Sequence, residues 1–410
     1  MQRLFIITLL AAVALPVNIA SAITLDEAIG ISTNQNPQLN SLRLEQEAAK
    51  GQIEKARLPF ITNPVLGGLG SRREKSAQEG RGNYTNYGVA VSQEFEVAGQ
   101  RGLRIDIAEK NSVRTGLEIQ DRHRILIYEV KRSFANTLAA KQRVALSREV
   151  LRLQEELLDF TRTRFNAGKV SGLEVNLAEV EHSKASKDVL STQREYAAAL
   201  SALQALMGSV SPKLTDVEGE LSPGIVSVPL KESLANILPE RPDVLATSLE
   251  VDRVRTIEKL VARQVIPNLT LGGFYGRDEW RDETGVTLSV SIPLFDRKQG
   301  AKREAKARLA QAHIAKAGLE RDVVRQLDLD YNNLLASQQE LSLFRNDIVD
   351  KSLKNLDLLY LAFKEGKISF YDVRVAQRET IELQFAYLDS LLEAQQSIYA
   401  VERTIGGTLE

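Results

Sequence analysis

Residues 164–181 read RFNAGKVSGLEVNLAEVE, and residues 362–379 read AFKEGKISFYDVRVAQRE. Gly168 and Gly366 stand 198 positions apart, and at that same offset Phe165, Lys169, Ser171, Val175, Ala178 and Glu181 recur as identities. The chain is therefore a duplication whose halves are expected to share one architecture. An apolar helical seam runs into each stretch, a glycine breaks it, and an apolar helical pattern runs away. Each stretch is expected to be the tip of a helical hairpin.

The helices leading to these tips are expected to be very long. No proline occurs between Val65 and Ser211, and none follows Leu294, so nothing forbids helix over most of either span. Val150, Leu153, Leu157 and Phe160 step by three or four residues, as do Val349, Leu353, Leu356, Tyr360 and Phe363. That is the spacing of a heptad seam. The 63 residues from Leu103 to Phe165 would reach about 95 Å as one helix, longer than any compact domain.

Each long helix is preceded by a pair of extended stretches. In the second copy, residues 267–276 are followed by a loop holding Asp278, Glu279, Arg281, Asp282 and Glu283, and then by residues 285–294. There Val286, Leu288, Val290, Ile292 and Leu294 alternate with Thr287, Ser289, Ser291 and Pro293. Such alternation is a strand with one apolar face and one small polar face. In the first copy, Gly67, Gly68 and Gly70 and then residues 84–97 give the matching hairpin, with a loop seven residues longer.

The first 22 residues have a basic start at Arg3, a largely apolar run and the small residues Ala20, Ser21 and Ala22. They are expected to be a signal peptide. The apolar run falls short of the roughly 20 residues of a spanning helix. Thr24 and Glu27 form a capping-box pattern, from which a first helix is expected to reach about Arg57, with Pro59 and Pro64 beyond it. The expected organisation is a signal peptide over 1–22, a first repeat over 23–210 with a strand hairpin at 60–97 and a tip at 166–172, a proline-rich linker over 211–229, and a second repeat over 230–410 with a strand hairpin at 267–294 and a tip at 364–370.

Composition narrows the chemistry. Lysine and arginine number 53 against 54 acidic residues, with no single-sign block, which argues against a nucleic-acid surface. There is no cysteine, so disulfides, thiolate metal sites and a lipid-bearing N-terminal cysteine are excluded. The three histidines His123, His182 and His313 are isolated, although His182 adjoins Glu181, and a zinc site needs several converging ligands. Gly67, Gly68 and Gly70 lack the Lys-Ser/Thr pair and helix start of a phosphate loop. No cofactor, resident metal or catalytic residue is expected.

Strands of 9–11 residues span a bilayer when tilted, but the smallest closed membrane barrel has about eight strands. Four strands per chain therefore require assembly, and three copies would supply about twelve. The fold class expected is mainly α with a small β part: duplicated coiled-coil hairpins forming a periplasmic α-barrel, and four strands contributing to a trimeric outer-membrane β-barrel. In it, Val286, Leu288, Val290 and Ile292 would meet lipid.

The tips RFNAGKVSGLEV and AFKEGKISFYDV, together with the strand-to-helix joints VSQEFEVAGQRGLR and VSIPLFDRKQGAK, resemble the TolC family of outer-membrane efflux channels over essentially the whole mature chain. The joints resemble its heavy-metal, cobalt-zinc-cadmium (CzcC-like) branch. The resemblance implies a homotrimer in the outer membrane of a Gram-negative bacterium, whose helices dock a periplasmic adaptor and an inner-membrane pump. It also implies passive conduction, with Asp372 and Glu174 at a periplasmic aperture and Phe165, Gly168, Leu173, Phe363, Gly366 and Val373 as adaptor-docking tips. Where the family's best-known channel has an arginine and a second aspartate near its gate, this chain has Ile368 and Val375. A multidrug or type I secretion channel and a periplasmic coiled-coil adaptor or scaffold are the alternative readings.

Overall fold

A computed structural model describes residues 22–74, 83–208, 214–221, 235–236, 238–278, 281–345 and 348–409. The expected signal peptide lies outside these residues except for Ala22. The elements in chain order are α1 (Leu25–Gln35), α2 (Pro37–Arg57), β1 (Val65–Glu74), β2 (Asn83–Phe95), α3 (Gln100–Asn166), α4 (Gly172–Met207), α5 (Pro242–Arg263), β3 (Leu269–Asp278), β4 (Arg281–Val290), α6 (Gln299–Arg345), α7 (Ile348–Lys364) and α8 (Phe370–Ile405). The chain divides into two units, each drawn from both copies of the duplication. One comprises Met1–Asn36, Leu126–Val226 and Leu334–Tyr399; the other comprises Pro37–Ile125, Ser227–Asn333 and Ala400–Glu410.

In the first unit, Thr24 caps α1. The Glu27 carboxylate accepts from the Thr24 N–H at 2.9 Å while the Thr24 hydroxyl accepts from the Glu27 N–H at 3.4 Å. The single helix expected to reach Arg57 is broken. Proline disfavours helical backbone in the residue before it, and Asn36, ahead of Pro37, is extended with ψ 122°. The Asn36 side chain then donates to the Leu206 carbonyl at 3.0 Å, near the end of α4. Ala135 and Ala139 of α3, Leu341 of α6, and Leu391 and Ala394 of α8 form one buried cluster with Leu221.

Leu221 lies in the stretch expected to be only a linker. Within that stretch, residues 214–221 are packed into the first unit. Val217 is fully buried and bridges Ile23, and Asp216 pairs with Lys141 at 2.7 Å and accepts from the Tyr196 hydroxyl at 2.6 Å. Residues 214–221 are not helical, yet they take part in backbone pairing and burial.

The second unit contains one antiparallel sheet in the order β1-β2-β3-β4. The strands differ from expectation at their ends. Asp278 pairs with Arg281 and Arg277 with Asp282, so most of the expected loop is ladder, reinforced by an Arg277–Asp282 ion pair at 2.7 Å. At the other end β4 stops at Val290, which leaves Ile292 exposed beyond the strand rather than on it. The register nonetheless assembles one apolar face. Leu66, Val91, Gly273 and Val286 stand in one row, and Gly68, Val89, Tyr275 and Thr284 in the next, while Leu271 faces Leu288 and Leu269 faces Val290. The opposite face carries Gly88, Ala90, Ser92, Gly272, Thr287 and Ser289, with Val65, Leu69, Phe274 and Glu94 among its larger members. Among the described residues nothing covers the apolar face, on which Leu66, Val91, Val286 and Leu288 are exposed.

The second unit also closes the C-terminal end of α8. Arg124 donates to the Arg403 carbonyl, and Arg241 donates to the Thr404 carbonyl at 2.6 Å while pairing with Asp243 at 2.7 Å. Two cations thus meet the negative end of a helix dipole. Burial pushes the Asp243 carboxyl up, but the hydrogen bonds and charge of Arg241, the charge of Arg124 and the Val244 N–H together hold the group below its usual range. Arg241→Ala strands a buried carbonyl and a partly buried carboxylate, and is expected to cost roughly 3 kcal/mol locally. Hydrogen exchange at residues 400–405 should show protection falling about a hundredfold; unchanged protection would refute this role.

Candidate functional site

Both hairpin tips lie in the first unit and are built alike. Gly168 has φ +70° and Gly366 φ +77°, a left-handed conformation that glycine adopts without a Cβ penalty. At the first tip the Gly168 N–H donates to the Phe165 carbonyl at 2.8 Å and the Lys169 N–H to the Arg164 carbonyl at 2.9 Å. At the second, the Gly366 N–H donates to Phe363 and the Lys367 N–H to Ala362, both at 2.9 Å. Each is a Schellman closure, which satisfies carbonyls that a helix end leaves orphaned.

Three residues beyond each glycine stands a serine N-cap. Ser369 forms a reciprocal cap with Asp372: its N–H and hydroxyl donate to Asp372 Oδ2 at 3.0 and 2.7 Å, and the Asp372 N–H donates back to the hydroxyl at 3.3 Å. These bonds hold the Asp372 carboxyl below its ordinary pKa. The first tip keeps one half of this arrangement, the Ser171 N–H donating to Glu174 at 3.4 Å. The two carboxylates singled out for an aperture are therefore helix caps first. The signal was present in the sequence as Ser-x-x-Glu and Ser-x-x-Asp.

The expected docking residues divide into two groups. Phe165 and Leu173 are 47% and 67% exposed, and both tip glycines are exposed. Phe363 and Val373, by contrast, are 1% and 0% exposed, so neither forms a surface. They pack with Leu157, Leu158, Ala178 and Phe370 in the core of the tips. The exposed second-copy counterpart of Leu173 is Tyr371, at 65%.

Two arginines join the copies here. Arg164 donates to the Phe363 carbonyl at 3.1 Å and lies over the rings of Phe363 and Phe160, 5.1 and 5.9 Å from their centroids. Arg374 pairs with Glu181 at 2.9 Å. Arg164 was invisible to the duplication because its counterpart is Ala362. Beside them runs a groove of roughly 740 Å³ along α3 and α7, lined by Arg152, Glu156, Asp159, Phe160, Tyr360 and Lys364 among others. Burial, then the charge of Glu156, pushes the Tyr360 hydroxyl up to about 12, so it stays protonated. His182 lies 3.6 Å from Glu155, and among the described residues no three His, Asp or Glu groups are placed to hold a metal.

The chain thus combines long helical hairpins with capped tips and a four-stranded antiparallel sheet that bears an apolar face. Residues 28–209 and 234–407 match the outer membrane efflux protein family, and the chain belongs to it. It is 25% identical to the cobalt-zinc-cadmium resistance protein CzcC of Cupriavidus metallidurans, over 95% of this chain and 92% of that one. Its fold matches a membrane protein from Pseudomonas aeruginosa with a TM-score of 0.81, at 20% identity over 93% and 92% of the two chains. The channel protein CusC matches with a TM-score of 0.80, at 18% identity over 93% and 92%. The protein is an outer-membrane efflux channel and not an enzyme.

The tip geometry sets two expectations. Gly168→Ala meets nothing within 4 Å, so its cost is conformational, about 1–2 kcal/mol, and should appear as faster hydrogen exchange at residues 168–172. Because the folded pKa of Asp372 is lowered, its stabilisation is present above the unfolded pKa and is lost as pH falls through the folded one. Amides 369–373 should lose protection on acidification, and Asp372→Asn should be less protected at neutral pH and lose that pH dependence.

Proposed function

We propose that three copies of this chain form the outer-membrane channel of a tripartite efflux system that exports heavy-metal cations. The observation that carries the assembly is the sheet. Among the described residues its edges β1 and β4 have no partner strand, and four strands are half the minimum for closure. Exposed edges with an apolar face are unstable in water and impossible in lipid. Closure through copies meets both demands.

The tips are the docking point for a periplasmic adaptor, with Phe165, Leu173 and Tyr371 as exposed anchors around Gly168 and Gly366, and the α3–α7 groove receives a partner helix. Asp372 and Glu174 face the aperture. Capping engages Asp372 only through Oδ2, and carboxylates gathered about one axis favour cations. Heavy-metal cargo rests on the likeness to CzcC along nearly the whole of both chains; a multidrug channel would share everything else.

Detergent extraction of the envelope should yield a particle of three chains, and a soluble monomer would overturn the proposal. Loss of the gene should lower tolerance to cobalt, zinc or cadmium without changing tolerance to hydrophobic drugs; the reverse pattern would reassign the cargo. Val290→Arg, on the apolar face, should cost about 2–4 kcal/mol near mid-membrane and reduce assembled yield, whereas Ser289→Arg on the opposite face should be tolerated. Equal yields would reverse the face assignment.

A further inference from the structure

The apolar face of β4 is too short for a membrane. Val286, Leu288 and Val290 span about 13 Å at roughly 3.3 Å per residue, against an apolar band of about 25 Å in outer-membrane barrels. Toward the distal end the same face turns polar at Thr284 and Asp282. The apolar run continues only the other way, into the segment joining β4 to α6, where Ile292, Leu294 and Phe295 are exposed, Phe295 at 91%.

The residues after Phe295 change character abruptly. Residues 296–308 hold six basic side chains and two acidic ones, and the acids are paired locally, Asp296 with Lys298 at 2.9 Å and Glu304 with Arg308 at 2.6 Å. Lys302, Arg303 and Lys306 share one side of α6 and pair with no acidic side chain among the described residues. The first turn of α6 has no acidic residue, although a helix start favours negative charge. Cations gathered there oppose the helix dipole and leave a basic, unneutralised patch.

The first copy, at the offset of 198, shows what this joint looks like without that need. Residues 98–110 hold three basic and two acidic side chains, and Phe295 is replaced by Val97. The counterpart of Lys302 is Arg104, which is turned inward onto Glu96 at 2.9 Å. Arg101 likewise serves the fold, donating to the Arg57 and Leu58 carbonyls at 2.7 and 3.2 Å.

We infer that the β4–α6 joint is a phospholipid anchor. Ile292, Leu294 and Phe295 enter the periplasmic leaflet, and Lys302, Arg303 and Lys306 hold the phosphates of its anionic lipids. An apolar segment next to a basic cluster is the pattern that binds anionic membrane surfaces. This rests on the outer-membrane reading, and it supplies a hold on that leaflet in a chain that has no cysteine to acylate.

The chain has one tryptophan, Trp280, so single reporters are available. In a Trp280→Phe background, Phe295→Trp and Leu288→Trp channels are placed in phosphatidylethanolamine–phosphatidylglycerol vesicles with bromines at graded acyl-chain depths. Trp at 295 should be quenched most by bromines near the headgroup, and Trp at 288 by deeper ones. An assembled Phe295→Trp channel left unquenched while Leu288→Trp is quenched overturns the anchor and seats residue 295 against a neighbouring copy. If neither is quenched, the membrane reading itself fails. Native mass spectrometry reads the charge. Wild type should retain phosphatidylglycerol over phosphatidylethanolamine, and the Lys302→Gln, Arg303→Gln, Lys306→Gln variant should lose that preference. Equal retention by both proteins would overturn the phosphate contact.

Discussion

The left-handed glycine at each tip is the constraint on which the helical part depends. Two helix ends meet within a few residues, and every orphaned backbone group must find a partner there. The glycine supplies the turn that lets the outgoing N–H groups reach back to the last carbonyls, and the serine three residues on starts the return helix. Because this reversal fixes where the return helix begins, it also fixes the register of the seam behind it. A slip at either glycine would separate Leu157 and Leu158 from Ala178, or Phe363 from Phe370 and Val373, and these are the side chains that fill the core of the tips.

Duplication produced two tips, but they are no longer interchangeable. In the first, Gly172 leaves no side chain beside the Phe165 ring, whose nearest atom is 3.7 Å from where a Cβ would stand, and that residue remains about half exposed. In the second, the matching position is Phe370, which turns inward with Phe363 at a centroid distance of 6.2 Å. Arg164 then reaches from the first copy onto the second, where Ala362 could return nothing. One aromatic and one guanidinium convert a repeated hairpin into an outward-facing tip and an inward-packed one held together.

What the sequence revealed and what it concealed follow the range of each interaction. Patterns carried by near neighbours were legible: the Thr24–Glu27 cap, the tip glycines, the heptad seams and the alternation of β4. Burial was not, because identity at the offset of 198 says that Phe165 and Phe363 descend from one residue and nothing of which side each now faces. The break at Asn36 was legible in principle, since Pro37 dictates it, but a capping box and an apolar pattern on either side masked it. The strand ends were set by cross-strand pairing, Asp278 with Arg281 and Leu269 with Val290, which alternation along one strand does not report. The packing of residues 214–221 depended on Ile23 and Lys141, which no local pattern connects to a proline-rich stretch.

The sheet shows why its small-residue face is built as it is. A Cβ on Gly285 would fall 2.6 Å from Cε1 of Phe274, and one on Gly272 would fall 2.5 Å from the Thr287 hydroxyl. Phe274 therefore lies flat across its neighbouring strand instead of standing away from the sheet, and it can do so only because its cross-strand partner is glycine. Glycine weakens an isolated strand. The sheet accepts that cost on the face where, under the proposed closure, a standing aromatic would project into the enclosed space, and places most of its larger aliphatic residues on the other. Under the proposed closure, conduction and membrane retention make opposite demands on the same strands, and the alternation of side chains lets each face answer one of them.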